Sequence, residues 1–231
     1  MERKDIKIRG REGKDFDCYV VMPDGNGKVP AMVLASAIHG VDKDLRAIAD
    51  EFAAAGYIAV APDLFWRSVP GPLTRDDPRS TPRGQPRHEK IKDGESDMAA
   101  ALAMLKTVPR FNGKAAAMGF CYGGPFALIG PKRLGYAAGV SCHGTQLGDY
   151  INELEGVTQP ICIIWGDLDH AAPPPVQEMY KKVPARMKNV EVHIFPGVEH
   201  GYMMPDAKAY SAPTRKFSME KAMGIMNGLR G

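Results

Sequence analysis

Apolar, β-branched runs alternate along the chain with stretches in which apolar residues recur every three or four positions. Residues 30–36 (Pro-Ala-Met-Val-Leu-Ala-Ser) predict a buried strand, and Leu45, Ile48, Ala49, Phe52 and Ala53 then share one face of a helix that Gly56 can close. Tyr57–Ala61 predicts the next strand, and Met98, Ala101, Leu102 and Leu105 repeat the helical spacing. Ala115–Met118, Ala137–Cys142, Ile161–Trp165 and Val190–Phe195 predict four further strands, with helical stretches near 122–130, 175–183 and 215–229. Such alternation predicts an α/β fold: a mostly parallel, twisted sheet with helices on both faces. The charged opening, Ile6–Arg9 followed by Phe16–Met22, reads as an antiparallel edge hairpin. With no internal repeat and no second hydrophobic core, residues 1–231 are expected to form one domain.

Residues 66–92 break the pattern. Pro70, Pro72, Pro78, Pro82 and Pro86 predict an irregular segment, and Arg67, Arg75, Arg79, Arg83 and Arg87 recur through it. A loop of that length in a compact domain reads as a lid or as a solvated basic segment.

Composition narrows the function. The 44% hydrophobic and 25% charged residues are those of an ordinary globular protein, and a net charge of +3 is too small for a surface that tracks phosphates, so no nucleic acid partner is expected. The first twenty residues carry eleven charges, which leaves no apolar leader core and predicts a cytoplasmic protein. The longest uncharged stretch, Ala115–Pro131, is interrupted by four glycines and a proline before it ends, so no membrane span is expected. Cys18, Cys121, Cys142 and Cys162 form no C-x-x-C pair, which argues against disulfides and a zinc cage.

One cysteine has a setting suited to chemistry. Gly119-Phe120-Cys121-Tyr122-Gly123 is a G-x-C-x-G between a short apolar strand and a predicted helix. A nucleophile on so tight a turn stands above the sheet edge, and small residues on either side let strand and helix approach. The first amides of the following helix point to where an oxyanion would form, and the same placement favours a thiolate. Further on, Trp165-Gly166-Asp167-Leu168-Asp169-His170 ends a strand in acidic residues, either of which could orient a base. Gly197-Val198-Glu199-His200-Gly201 then offers an imidazole on a loop after the last strand. The order nucleophile, acid, histidine is that of α/β-hydrolases.

These motifs, with Gly56-Tyr57 and Ala61-Pro62-Asp63-Leu64 upstream, resemble the dienelactone hydrolases (carboxymethylenebutenolidases) of the α/β-hydrolase superfamily, over about residue 15 to the end. The resemblance implies a single-domain α/β-hydrolase fold and hydrolysis of a small ester or enol lactone through a thioester acyl-enzyme. It implies Cys121 as nucleophile, His200 as base and Asp169 as orienting acid, with Asp167 structural and the backbone amides of Ile38 and Tyr122 as oxyanion hole. It implies no metal and no organic cofactor.

Two departures from the family pattern bear on mechanism and substrate. The family's best-studied members carry a glutamate on the loop after the third strand that engages the resting cysteine, and Ala37 stands there in Leu34-Ala35-Ser36-Ala37-Ile38-His39-Gly40. Cys121 is therefore expected to rest as a thiolate paired with protonated His200. Those best-studied members also grip a substrate carboxylate with two arginines, and the one beyond the histidine is replaced here by Tyr202-Met203-Met204-Pro205. Arg83 aligns best with the other, with Arg79 and Arg87 as alternatives in register. Phe65, Trp66, Tyr122 and Tyr202 are candidate apolar contacts, or ordinary core. His39 and His143 are read as pocket lining, because neither has an acidic partner at metal-ligand spacing. Two other readings stay open: a glutaminase-type amidotransferase, which would require a His-x-Glu pair that Glu199-His200-Gly201-Tyr202 lacks, and a non-catalytic or redox-sensing protein that retains the thiol.

Overall fold

The computed structural model describes residues 1–231, except for the side chains of residues 87–89. Eight strands form one sheet: β1 (Glu2–Arg9), β2 (Asp15–Met22), β3 (Val29–Ala35), β4 (Ile58–Pro62), β5 (Phe111–Phe120), β6 (Ala138–Cys142), β7 (Ile161–Gly166) and β8 (Val190–Phe195), in spatial order β1-β2-β4-β3-β5-β6-β7-β8. Only β1–β2 and β2–β4 pair antiparallel; the remaining pairs are parallel. β1 therefore lies at the edge, where its charges guard unpaired backbone groups, as in the Lys7–Asp17 and Lys4–Glu2 ion pairs.

Helices cover both faces because each carries the apolar stripe its spacing predicts. On one face, Leu45, Ile48, Ala49 and Phe52 of α1 (Lys43–Ala54) are buried together with Met219, Ala222 and Met226 of the C-terminal helix (Ala212–Gly228, α7 below). Asp42 caps α1 by accepting from the Leu45 amide at 2.9 Å, and Gly56, in the left-handed region at φ 86°, turns the chain into β4. On the other face, Met98, Ala101, Leu102 and Leu105 of the helix Arg87–Leu105 pack with Phe126 and Ile129 of Gly124–Ile129. A third cluster joins Trp165 of β7 to Tyr180 and Val183 of the helices Pro174–Lys181 and Val183–Arg186. Fully burying each large apolar side chain contributes about 1.5–3 kcal/mol. Numbered in chain order, the helices after α1 are α2 (Ser80–Arg83), α3 (Arg87–Leu105), α4, α5 (Pro174–Lys181), α6 (Val183–Arg186) and α7.

The 66–92 segment departs from the expectation of an irregular loop. α2 and the start of α3 lie inside it, because Pro82 falls within the only turn of α2 and Pro86 is the residue that precedes α3. At such positions the amide hydrogen that proline lacks has no intrahelical partner. Among the described residues, no helix is long and apolar enough to cross a membrane.

The parallel register brings five strand ends level. Ala35 pairs with Gly119, Phe120 with Cys142, Cys142 with Ile164, and Gly166 with Phe195. The loops that follow β3, β5, β6, β7 and β8 thus emerge on one edge, carrying Ile38, Cys121, His143, Asp169 and His200 in that spatial order.

The β7 and β8 loops touch without room for a side chain: a Cβ on Gly166 would lie 1.8 Å from the Val198 carbonyl oxygen. Gly166→Ala is expected to destabilise the fold by about 1–3 kcal/mol through overpacking and to push the Asp169 turn away from the His200 loop. A fall in the urea midpoint at unchanged slope would show it.

Candidate active site

Cys121 sits at φ 49°, a left-handed conformation that non-glycine residues rarely adopt. Its neighbours force the bend. A Cβ on Gly119 would meet the Gly123 carbonyl oxygen at 2.1 Å, and one on Gly123 would meet the Ala35 carbonyl oxygen at 2.0 Å. Thr145 then holds the bend from outside, donating to the Cys121 carbonyl from its amide at 3.0 Å and from its hydroxyl at 3.2 Å. Cys121 is half-buried, whereas Cys18, Cys142 and Cys162 are buried and their thiols are pushed up by burial, that of Cys142 to about 12. The half-buried cysteine is also the one hydrogen-bonded to His200.

His200 shares its Nδ1 with Asp169 Oδ1 at 2.8 Å and forms a second hydrogen bond with Cys121. Burial opposes a charged ring, but the hydrogen bonds to Asp169 and Cys121, and the charge of each, outweigh it and raise His200 to about 10. A ring raised from about 6.5 contributes stability that is complete below that value and is lost as pH climbs towards 10. Asp169 is 3% exposed; its Oδ1 also accepts from the Ala171 amide at 2.8 Å, and its Oδ2 is buried without a hydrogen-bond partner. Asp167, two residues earlier, accepts from the Gly197 amide at 2.7 Å and so ties the β7 turn to the β8 loop.

His143 completes this side. Its backbone is also left-handed, at φ 39°, and its ring lies nearly perpendicular to those of His200 and Tyr202, with centroids 4.9 and 5.2 Å away. Burial, reinforced by the His200 charge, drives its basicity well below the ordinary histidine value, so it stays neutral. Tyr202 is buried with its hydroxyl 2.9 Å from Ser218 Oγ. His170, exposed, lies 4.8 Å from His200 between ring centroids.

On the opposite side, Tyr122 packs on Phe65 at 4.8 Å, and the Arg83 guanidinium lies over the Phe65 ring at 4.2 Å. Arg83 is 2% exposed and turned towards the main chain: Nε donates to the Ile38 carbonyl at 2.7 Å and Nη1 to Val69 and Gly71 at 2.9 and 2.7 Å. It thereby clamps the 66–86 segment onto the loop that carries the Ile38 amide. His39 beside it is held down to about 4 by burial and by the Arg75 and Arg83 charges.

The structure thus gathers Cys121, Asp169, His200, His143 and Tyr202, with Ile38, Tyr122, Phe65, Arg83 and His39 flanking them. Trp66 and Arg79 are engaged elsewhere. Trp66 stacks on Phe16 at 5.3 Å and donates to Asp97, and exposed Arg79 pairs with Asp77 at 2.7 Å. The Arg87 side chain lies outside the described residues. Sequence reasoning gave no role to Arg75, which bridges the 66–92 segment to the start of α1 through Asp42 at 3.1 Å and Asp44 at 2.7 Å, or to Thr145. Arg75 was visible only as one of five recurring arginines; Thr145 had no signal at all.

Known proteins resemble this chain in sequence and in fold. The model of the dienelactone hydrolase family matches residues 16–228. The carboxymethylenebutenolidase of Pseudomonas putida is 24% identical over 235 residues, spanning 100% of this chain and 98% of its own. Two solved structures, each 20% identical, share the fold. A dienelactone hydrolase-like promiscuous phosphotriesterase from metagenomic libraries has a TM-score of 0.83, with 100% of both chains covered. The dienelactone hydrolase of Anabaena variabilis has a TM-score of 0.66, with 94% of this chain and 95% of the other covered.

Removing the Arg83 clamp takes the donors from three part-buried carbonyls. Arg83→Met is expected to cost at least about 3 kcal/mol of unfolding free energy, measured in urea. Hydrogen exchange should rise at the amides of Gly71 and Leu73 and stay low in β5 and β6.

Proposed function

The chain belongs to the dienelactone hydrolase family, and from that membership we propose that it cleaves a small ester or enol lactone, with Cys121 as nucleophile, His200 as proton carrier and Asp169 as its orienting acid. The observation that carries this reading is the continuous line of hydrogen bonds from Cys121 through His200 to Asp169 at the level strand ends.

In the resting state the pair is thiolate and imidazolium. The Cys121 sulfur attacks the carbonyl carbon, and the oxygen takes the negative charge beside the Ile38 and Tyr122 amides. As the tetrahedral centre collapses, the carbon–oxygen bond of the ester breaks and His200 gives its proton to the departing oxygen. In a lactone that oxygen stays attached to the acyl chain. Once sulfur is acylated, its charge and its hydrogen bond no longer hold the proton on His200, so the ring becomes basic enough to take a proton from water. That water attacks the thioester, the carbon–sulfur bond breaks, and the acid leaves while the pair reforms. Asp169 keeps Nδ1 protonated throughout, so that Nε2 faces the reaction.

The acyl group is uncharged in this reading. Among the described residues, Arg83 gives Nε and Nη1 to carbonyls and keeps Nη2 buried, Arg75 is neutralised by Asp42 and Asp44, and half-buried His39 and buried His143 are neutral. The wall after His200 is buried Tyr202, Met203 and Met204.

Hydrolysis of p-nitrophenyl acetate is expected to vanish in Cys121→Ala and His200→Ala and to fall roughly 10³–10⁴-fold in Asp169→Asn, through loss of the productive tautomer. Full activity in either alanine variant would remove the triad. Alkylation of Cys121 followed against pH should show a midpoint well below the ordinary thiol value of about 8.5, moving back up in His200→Ala; an unperturbed midpoint would end the resting ion pair. Neutral lactones should be turned over with a higher kcat/KM than lactones of equal size bearing a carboxylate, and the reverse order would show a carboxylate grip.

A further inference from the structure

We propose that Asp169, His170 and His200 form a binding site for a divalent metal ion of the zinc class, and that an ion held there switches hydrolysis off. The switching rests on the hydrolase reading; the binding does not. One ligand atom from each residue lies within 4.8 Å of the other two. Two imidazoles and a carboxylate are a donor set that zinc accepts, with a fourth position left for water.

A second, independent feature points to a ligand. Asp169 spends Oδ1 on His200 and on the Ala171 amide, while Oδ2 is buried and unpartnered in a side chain that is 1% exposed. A buried carboxylate oxygen without a donor costs free energy that a cation would recover. His170 supplies access. Exposed on the turn beside Asp169, with its ring tilted 55° to that of His200, it can swing in from solvent. Zinc bonds of about 2.0–2.2 Å place tetrahedral ligand atoms roughly 3.3 Å apart, so the group must contract, and the exposed ring is the one free to move.

Coordination and catalysis exclude each other at His200. The ion takes Nδ1, the ring nitrogen that faces Asp169, and replaces the hydrogen bond that fixes the tautomer. His200 releases that proton to solvent, and a ring bound to the ion through Nδ1 can no longer cycle between imidazolium and imidazole to carry a proton between sulfur, leaving group and water. The other cluster of this kind among the described residues, Cys162, Glu191 and His193, already has a resident cation: Lys221 Nζ lies 2.5 Å from Glu191 Oε2, with His193 Nε2 3.0 Å from the same oxygen.

Zinc also binds free thiols, so the test begins in Cys121→Ala, which removes that competing ligand. Titration of this variant with zinc chloride in a calorimeter is expected to give one ion per chain, and adding His170→Ala should weaken the affinity at least tenfold. In the intact enzyme, zinc should inhibit p-nitrophenyl acetate hydrolysis, and a chelator should restore it. The inhibitory concentration in His170→Ala, read against that variant's own metal-free rate, should be at least tenfold higher. Equal zinc affinity with and without His170, or equal inhibition, overturns the proposal. Loss of all metal-free turnover would refute the hydrolase reading, while the calorimetric arm would still decide the site.

Discussion

The site depends on one close approach, that of Gly123 to the carbonyl of Ala35 at the end of β3. The gap between them has no space for a β-carbon, and the same is true of Gly119 against Gly123. Strand β5 and the turn after it can close up only if the intervening residue enters the left-handed region, and that residue is Cys121. The strain is held by the surrounding hydrogen bonds, chiefly those from Thr145 to the Cys121 carbonyl. Backbone geometry sets the sulfur's position, and the partners are brought to it by the parallel register of the sheet.

That register also explains how residues far apart in sequence become a single chemical unit. Each parallel strand delivers its following loop to the same edge, so neighbours in the sheet become neighbours in the site. β7 and β8 are adjacent, and their loops carry the acid and the imidazole; β5 and β6 are adjacent, and theirs carry the thiol and the neutral His143. Electrostatics follows from the same placement. Burial alone would strip His200 of its proton, as it does for His143, and it is the contact with Asp169 and Cys121 that reverses the sign.

Most of the fold was legible because burial imprints periodicity. The helical stripe of Leu45, Ile48, Ala49 and Phe52 and the apolar run of β3 both lie where the pattern puts them, and Gly56 ends α1 as a left-handed glycine should. The placement of Cys121, Asp169 and His200 was legible for a related reason: each follows a strand whose end can be read, and order along the chain does the rest. The 66–92 segment was not legible. Five arginines and five prolines look equivalent in sequence, yet Arg83 is buried on three carbonyls, Arg75 on two carboxylates, and Arg79 is out in solvent. Which carbonyl a guanidinium reaches is decided by loops meeting in space, and no local spacing encodes that. The prolines misled because their effect depends on position within a helix turn.

The commitment of Arg83 changes what kind of object the 66–86 segment is. Its guanidinium joins the carbonyls of Val69 and Gly71 to that of Ile38, so the segment is fastened from inside to the loop on the far side of the cysteine. It cannot be exchanged as a cassette. A graft from a relative that lacks an arginine at this position would leave the β3 loop unmoored, and a graft that shifts it by one residue would tilt the Ile38 peptide. Any redesign of this chain's site therefore has to work around a fixed rivet, by changing the side chains beside it.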